Sequence, residues 1–205
     1  KQTIITGHNG SGKTTLAKII MGIITPDSGS VILDGEDITG LDVTERARRG
    51  IAFAFQQPVR FKGLKVGDLL TAAKGGAVTR GELCDCLSEV GLCAANYIDR
   101  ELDDKLSGGE LKRIEIAMAL LRKAKVAVFD EPEAGIDIWS FDHLIGAFEA
   151  LKGKGTTILV SHQERIMKNA DKLVLLNRGA VSREGTPDDI LKYIHADTAC
   201  KKLSR

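Results

Sequence analysis

The sequence is poor in aromatic residues and has no long apolar run. Phe, Trp and Tyr make up 4% of its 205 residues, with a single tryptophan. No apolar stretch is long enough to cross a bilayer. Lysine and arginine number 29 against 28 aspartates and glutamates, which leaves a net charge of +1. This composition argues against a membrane-spanning chain and against a basic, nucleic-acid-binding tail.

Cysteine is also scarce. The four cysteines, at positions 84, 86, 93 and 200, fit no standard zinc-binding spacing. We therefore expect reduced, partly buried thiols in a cytoplasmic protein. The apolar fraction of 43% and charged fraction of 28% are ordinary for a globular protein. The length suits one domain with a sizeable core, or one domain that carries a small subdomain.

Buried strands and helices alternate along most of the chain. The apolar runs TIIT, IAFAF, VAVFDE and TTILVSH are typical of strands covered on both faces, and helical patterns lie between them. KLVLLNRGAVSREG is typical of a hairpin that turns at Asn177 to Gly179. These patterns predict an α/β fold with a mostly parallel central sheet and an antiparallel β part.

The segment from Gln56 to Lys105 has a different character. It contains two helical patterns, KVGDLLTAA and RGELCDCLSEVGL, and no convincing strand. We expect a helical subdomain at approximately residues 58–120, within a single domain that covers residues 1–205.

Residues 7–14, GHNGSGKT, match the phosphate-loop pattern G-x-x-x-x-G-K-[ST]. The predicted strand before it and helix after it argue against a chance glycine-rich turn. With this motif, the expected α/β fold is that of a P-loop NTPase. Glycines let successive backbone N–H groups surround phosphate oxygens, at the positive end of the following helix. Lys13 would reach the β- and γ-phosphates, and the Thr14 hydroxyl would ligate Mg²⁺. The predicted ATP contacts here are Gly7, His8, Asn9, Gly10, Ser11, Gly12, Lys13, Thr14 and Thr15.

Two carboxylates follow the strand VAVFDE. Asp130 stands at its carboxyl end, where parallel sheets place ligands, and fits a Mg²⁺ role. Glu131 comes next and would polarise a water for attack on the γ-phosphate. The alternative, an acidic strand end that only caps the next helix, is weakened by the phosphate loop elsewhere in the chain.

Gln56 and His162 each follow another predicted strand. A lone Gln or His at a strand end is more often structural than catalytic. Both nevertheless lie where strand ends should converge on one phosphate site. Gln56 would sense Mg²⁺ or water, with Gln57 as a competing choice, and His162 would contact the γ-phosphate.

In this order of motifs the chain resembles the ATP-binding cassette (ABC) ATPases. GHNGSGKT, Gln56, LSGGE, VAVFDE, EAGID with Asp137 as the D-loop, and His162 together span nearly the whole sequence. The resemblance implies ATP hydrolysis in a head-to-tail homodimer, with each ATP between one phosphate loop and the partner's signature. It assigns to the signature Ser107, Gly108, Gly109 and Glu110, at a helix N-terminus that would face the partner's γ-phosphate.

Within the family the chain is most similar to the ATPase of SUF iron–sulfur cluster assembly. SGGELKRIEI, AFQQP and FDEPEAGIDIWSF carry this resemblance, although Glu133-Ala134 and His8 depart from the usual patterns. It implies a soluble SUF-type scaffold as partner. The alternative is the nucleotide-binding subunit of a membrane transporter, with a permease as partner. Either partner is expected at PVRFKGLKVGDLL, residues 58–70, beside the Q-loop.

Two further expectations follow from the family pattern. DNA-repair members carry long coiled coils between the phosphate loop and the signature, and no sustained heptads occur there, so no nucleic-acid partner is expected. ABC cassettes also begin roughly 25 residues before the phosphate-loop strand. Six residues precede Gly7, so the N-terminal strands and the adenine-stacking aromatic are expected to be missing from this sequence.

Overall fold

The computed structural model describes residues 1–54, 61–103 and 105–203, with the side chains of all of these except 61, 62 and 197–203. A six-stranded sheet lies at the centre of this structure. Its strands, in spatial order, are β10 (Ala180–Gly185), β9 (Lys172–Asn177), β1 (Gln2–Gly7), β8 (Thr156–Val160), β7 (Val126–Asp130) and β4 (Ile51–Ala54). From β9 to β4 all neighbours are parallel, and β10 pairs antiparallel with β9. The predicted α/β fold with a mostly parallel sheet is therefore confirmed.

Both faces of the sheet are covered, which explains the continuous apolar runs of its strands. Ile5 and Val128 face a core that includes α1 (Lys13–Met21) and the region of α2 (Val43–Arg48). Ile4 and Phe129, their chain neighbours, face the opposite core with α6 (Gly108–Leu121) and α7 (Ile138–Leu151). Successive residues alternate between the two cores because strand side chains alternate between faces.

A group of helices packs on α6 away from the sheet. It consists of α3 (Val66–Lys74), α4 (Arg80–Glu89) and α5 (Ala94–Tyr97). Leu70 and Leu87, both completely buried, join it to the core shared with α6. Two further helices, α8 (Glu164–Met167) and α9 (Pro187–Leu203), come before β9 and after β10 respectively. Within the described residues, no helix has the length and apolarity needed to cross a membrane.

The expectation of no strand between Gln56 and Lys105 was wrong. β5 (Phe61–Lys65) pairs antiparallel with β6 (Glu101–Leu102). Periodicity did not reveal this pair because β6 is only two residues long and its partner lies far away in the sequence. A separate short hairpin of β2 (Ile32–Leu33) and β3 (Glu36–Asp37) turns at Asp34-Gly35.

Parallel neighbours place their carboxyl ends at one edge of the sheet. The loops that follow β1, β7 and β8 therefore emerge side by side, because these three strands are adjacent. They carry the phosphate loop, Asp130 with Glu131, and His162 respectively. Open parallel sheets place their ligands at this edge.

Candidate active site

The phosphate loop connects β1 to α1, as its sequence context predicted. Gly7, Gly10 and Gly12 have φ angles of 147°, 78° and 96°, a region that other residues rarely adopt. A Cβ atom on Gly7 would lie 2.2 Å from the carbonyl oxygen of Leu176, so this position also lacks space for a side chain. The loop conformation therefore requires these glycines, and α1 begins directly after them at Lys13.

Lys13 folds back over the loop. Its side-chain Nζ donates hydrogen bonds to the carbonyl oxygens of Gly7, at 2.8 Å, and of His8, at 3.0 Å. The residue is 5% exposed. Burial lowers the pKa of the Lys13 amine, and the nearby Glu131 and Asp130 carboxylates oppose that change. A buried ammonium group held by neutral carbonyls is suited to receive an anion.

Ser11 tests whether the residues of the loop fit a phosphate group. Its hydroxyl oxygen is buried in the middle of the loop, and among the described residues it has no hydrogen-bond partner. Buried polar atoms in folded proteins are almost always paired. A phosphate oxygen bound in the loop would accept a hydrogen bond from the Ser11 hydroxyl, so the residues present fit a nucleoside triphosphate.

Asp130 lies at the end of β7, across from α1. The Thr14 hydroxyl donates to its Oδ1 over 3.2 Å, so the structure joins these two predicted metal ligands. Burial raises the pKa of the Asp130 carboxyl, and this hydrogen bond partly opposes the rise. A hydroxyl and a carboxylate are oxygen ligands that Mg²⁺ accepts, with phosphate oxygens and water completing its shell. Across residues 1–54, 61–103 and 105–203 no cluster of three His, Cys, Asp or Glu side chains offers a separate metal site.

Glu131 and His162 also come together. The Glu131 Oε1 atom lies 3.5 Å from the His162 Nε2 atom. Glu131 has a φ of 46°, unusual for a side-chain-bearing residue, and its backbone N–H donates to Val160 O in β8 over 2.9 Å. Burial lowers the pKa of the His162 imidazole, and the positive charge of Lys13 lowers it further. The negative charge of Glu131 acts in the opposite direction without reversing the change. The imidazole is therefore mostly neutral at pH 7, with one N–H available as a donor.

The signature residues begin α6. The Ser107 hydroxyl accepts from Glu110 N at 3.2 Å, and Glu110 Oε2 accepts from Ser107 N at 2.6 Å, which forms a capping box. A Cβ on Gly109 would lie only 2.9 Å from the Ser140 Cβ in α7. Close packing against α7 thus explains the second glycine, a requirement that sequence reasoning did not identify.

Asp137 begins α7 beside the signature. Its Oδ1 accepts from the backbone N–H groups of Trp139 and Ser140, at 3.0 and 2.9 Å. Those bonds lower the pKa of the Asp137 carboxyl. Directly after it, Ile138 and Trp139 are 75% and 84% exposed. The D-loop and the signature therefore form one surface, on which two large apolar side chains lie open to solvent.

The remaining predicted residues have different outcomes. His8, Asn9 and Gly10 line an open cavity of about 870 Å³, which His162 and Tyr193 also border. Thr15 lies in the first turn of α1. Gln56 and its competitor Gln57 lie outside the described residues, so their predicted roles stay predictions.

One polar contact at this edge was missed from the sequence. The Glu133 carboxylate accepts a hydrogen bond from the Ser161 hydroxyl at 2.5 Å. The sequence showed Glu133 only as a departure from a family pattern. Its partner is 28 residues away and meets it only because β7 and β8 are neighbours.

The sheet order, the glycine loop and the Thr14–Asp130 pair define a P-loop nucleoside triphosphatase. A family model described as "ABC transporter" matches residues 1–134. The chain belongs to this ABC transporter family, as an ATPase that uses ATP and Mg²⁺.

Curated relatives agree with this family. An uncharacterized ABC transporter ATP-binding protein of Methanocaldococcus jannaschii is 40% identical over 198 residues, covering 92% of this chain and 79% of that protein. The lipopolysaccharide export system ATP-binding protein LptB of Escherichia coli K12 is 33% identical, with coverages of 92% and 80%. The sulfate/thiosulfate import ATP-binding protein CysA of Pseudomonas putida is 32% identical over 90% of this chain, which spans only 58% of it.

Solved structures agree on the fold. A bacterial ABC exporter with ATP bound superposes with a TM-score of 0.83 at 22% identity, over 100% of this chain and 37% of the exporter chain. A dimeric ATP-binding cassette bound to ADP and phosphate superposes with a TM-score of 0.78 at 24% identity, over 91% of this chain and 85% of that chain. The ABC assignment rests on the family model and the curated relatives, and none of the comparisons supports the narrower SUF resemblance.

Proposed function

We propose that this chain is the nucleotide-binding subunit of an ABC transporter, which hydrolyses ATP at the cytoplasmic face of a membrane permease. The observation that carries the ATPase part is the convergence of Lys13, Asp130 and the Glu131–His162 pair beside one phosphate loop. The transporter part is supported by the names of the relatives, which are import and export ATP-binding proteins.

In this proposal residues 7–15 hold the triphosphate, with Lys13 turning from its carbonyl partners to the β- and γ-phosphates. Thr14 and Asp130 hold Mg²⁺, together with Gln56. The metal, when bound, neutralises charge on the phosphate oxygens. Glu131 orients the attacking water and accepts its proton as the water oxygen bonds to the γ-phosphorus and the bond to the ADP oxygen breaks. His162, as a neutral donor, holds a γ-phosphate oxygen.

The proposal includes a head-to-tail pair of two copies of the chain. Ser107, Gly108, Gly109 and Glu110 of one copy complete the ATP site of the other, with Asp137 in the same interface. Ile138 and Trp139 support a covered surface there, because they are adjacent and exposed, and contiguous apolar patches mark interaction sites whereas isolated apolar side chains do not.

A groove between the sheet and the helical part supports a docked partner. It has a volume of about 350 Å³ and is lined mostly by apolar side chains, among them Val43 in α2, Leu69 in α3 and Met118 in α6. An amphipathic helix from a permease would bury its apolar face there. The groove is bordered by α3, within the predicted helical subdomain, so a partner in it would contact the segment expected from the sequence.

A second candidate partner is the SUF-type scaffold that the sequence resemblance implies. The run Glu110–Ile116, which carries that resemblance, is folded inward. Lys112 is 2% exposed and its Nζ lies 3.0 Å from Glu115 Oε2, while Arg113 donates to Gly91 O at 2.9 Å. These two side chains therefore hold α6 within its own chain and present little surface to a partner, so they do not favour the scaffold over the permease.

Affinity purification from solubilised membranes and from soluble extract distinguishes the two candidates. Recovery with an integral membrane protein supports the transporter subunit, and recovery with a soluble iron–sulfur scaffold alone overturns it. Val43→Glu places a charge in the groove and should abolish either association. Val181→Glu is the matched control, since Val181 is a 57% exposed valine on β10, outside the lining of this groove.

A further inference from the structure

Glu133 is the first residue of the D-loop EAGID, which follows β7, and its carboxyl group faces inward. Oε1 accepts hydrogen bonds from the Ser161 hydroxyl at 2.5 Å and from the backbone N–H of His162 at 3.3 Å. Oε2 is buried, and no hydrogen-bond partner for it occurs within the described part of the chain. Burial raises the pKa of this carboxyl group, against the effect of its hydrogen bonds.

Ser161 is the fixed end of this contact. It is completely buried, and its backbone N–H donates to Ile5 O in β1 over 3.2 Å. Its hydroxyl oxygen also accepts from Gln163 N at 3.0 Å. The Ser161 hydroxyl therefore joins the two residues that flank His162, because it belongs to Ser161 and accepts from Gln163 N. The same hydroxyl donates to the Glu133 carboxylate.

The same turn carries the residues of the reaction. Glu131 lies two positions before Glu133, and Asp137 lies four positions after it. Ala134 N donates to Glu131 O at 3.0 Å, and Ile136 N donates to Glu133 O at 3.2 Å, so the turn is internally hydrogen-bonded. A movement of the D-loop would therefore pull on the backbone of His162 through a single carboxyl group.

Burying a carboxyl group costs free energy, and a shorter polar side chain would avoid part of that cost. We propose that Glu133 is a positioning residue, which couples the D-loop turn to the His162 backbone and so holds the imidazole against Glu131. This inference rests on the proposed ATPase site, and it assigns to Glu133 no contact with nucleotide. It gives each chain a direct link from its dimer-facing D-loop to its own γ-phosphate contact.

Steady-state kinetics on the full chain test the link. Glu133→Ala removes both hydrogen bonds, and we expect kcat to fall at least about tenfold while KM for ATP changes less than about threefold. Glu133→Gln keeps a carbonyl acceptor of the same reach and should restore kcat to within about threefold of wild type. Glu82→Ala is the control, because Glu82 also accepts from a backbone N–H, that of Thr79, but lies in the helical part. Its kcat should be unchanged.

Ser161→Ala gives a second route if Glu133→Ala does not fold. It removes the donor and should lower kcat without raising KM, and the loss should not add to that of Glu133→Ala in the double variant. Wild-type kcat in a folded Glu133→Ala or in Ser161→Ala would overturn the inference.

Hydrogen exchange separates this inference from the proposed function. The His162 amide should exchange faster in Glu133→Ala than in wild type, with or without catalysis. Unchanged exchange refutes the link even in an active enzyme. A wild-type chain that binds no ATP would refute the proposed function while leaving the exchange result intact.

Discussion

The two halves of the proposed ATP site differ in how they use their polar groups. On the phosphate-loop side, the groups contact one another within the chain, as in the Thr14–Asp130 and His162–Glu131 pairs. On the signature side, Ser107 and Asp137 serve to begin helices, and Trp139 lies open. The polar side chains of the first half lie beside the phosphate loop, where a nucleotide would bind. Those of the second half form hydrogen bonds with the backbone of their own helices. Substitutions in the first half should therefore affect chemistry and nucleotide affinity, and those in the second half should affect association.

The largest effect is expected for Glu131→Gln. Loss of the proton acceptor should lower kcat by roughly 10²–10⁴-fold, while ATP still binds and the dimer still forms. Phosphate release under ATP saturation measures the rate, and light scattering measures the dimer. Glu149→Gln, at an exposed position of α7, is the control and should keep full activity. Turnover near the wild-type rate in Glu131→Gln would remove Glu131 from the proton-transfer step.

Lys13→Ala should act at the binding stage. Removing the buried ammonium group takes away charge-assisted hydrogen bonds worth about 1.5–3 kcal/mol, so ATP affinity should fall up to about 100-fold. Calorimetric titration with ATP and Mg²⁺ measures this change, with the exposed Lys152→Ala as control. Equal affinities for the two variants would contradict the role of Lys13.

Ser107→Arg tests the other half of the site. The bulky cation should leave ATP binding to the monomer intact and prevent the head-to-tail pair. Trp139 is the sole tryptophan and reports on the D-loop surface, so its emission should move to shorter wavelength when ATP pairs the wild-type chains. That shift should be absent in Ser107→Arg and present in Ser88→Arg, an exposed serine of α4. A normal ATP-induced shift in Ser107→Arg would refute the action of the signature on a partner.

The smallest effect separates capping from catalysis. Ser107 and Thr79 both accept from a glutamate N–H three residues later. Their alanine variants should each lose about 1 kcal/mol of unfolding free energy, as chemical denaturation would show. Only Ser107→Ala should also weaken the ATP-induced Trp139 shift. Equal shifts in both variants would reduce Ser107 to an ordinary helix cap.

The sequence sufficed for features that depend on local spacing. The phosphate loop and the β9–β10 hairpin are both encoded by neighbouring residues. The alternation of strands and helices predicted a mostly parallel sheet but not the order of its strands. A parallel sheet gathers its strand ends at one edge, so the convergence of Asp130, Glu131 and His162 could be predicted as well.

Features that depend on long-range contacts were missed. β5 and β6 pair across about 35 residues, and the Glu133–Ser161 contact requires β7 and β8 to be neighbours. The reason for Gly109 is the proximity of Ser140 on another helix. The choice between scaffold and permease depends on a partner's surface, which this chain's own folding pattern does not encode.

The tip of the β9–β10 hairpin has a consequence for the order in which the site is made. Gly179 N donates to Ser11 O at 3.2 Å, and Leu176 O closes over Gly7. The phosphate loop, residues 7–14, is therefore supported by a segment near residue 179 that lies much later in the chain. A ribosome must add that hairpin before the phosphate loop can adopt its final conformation.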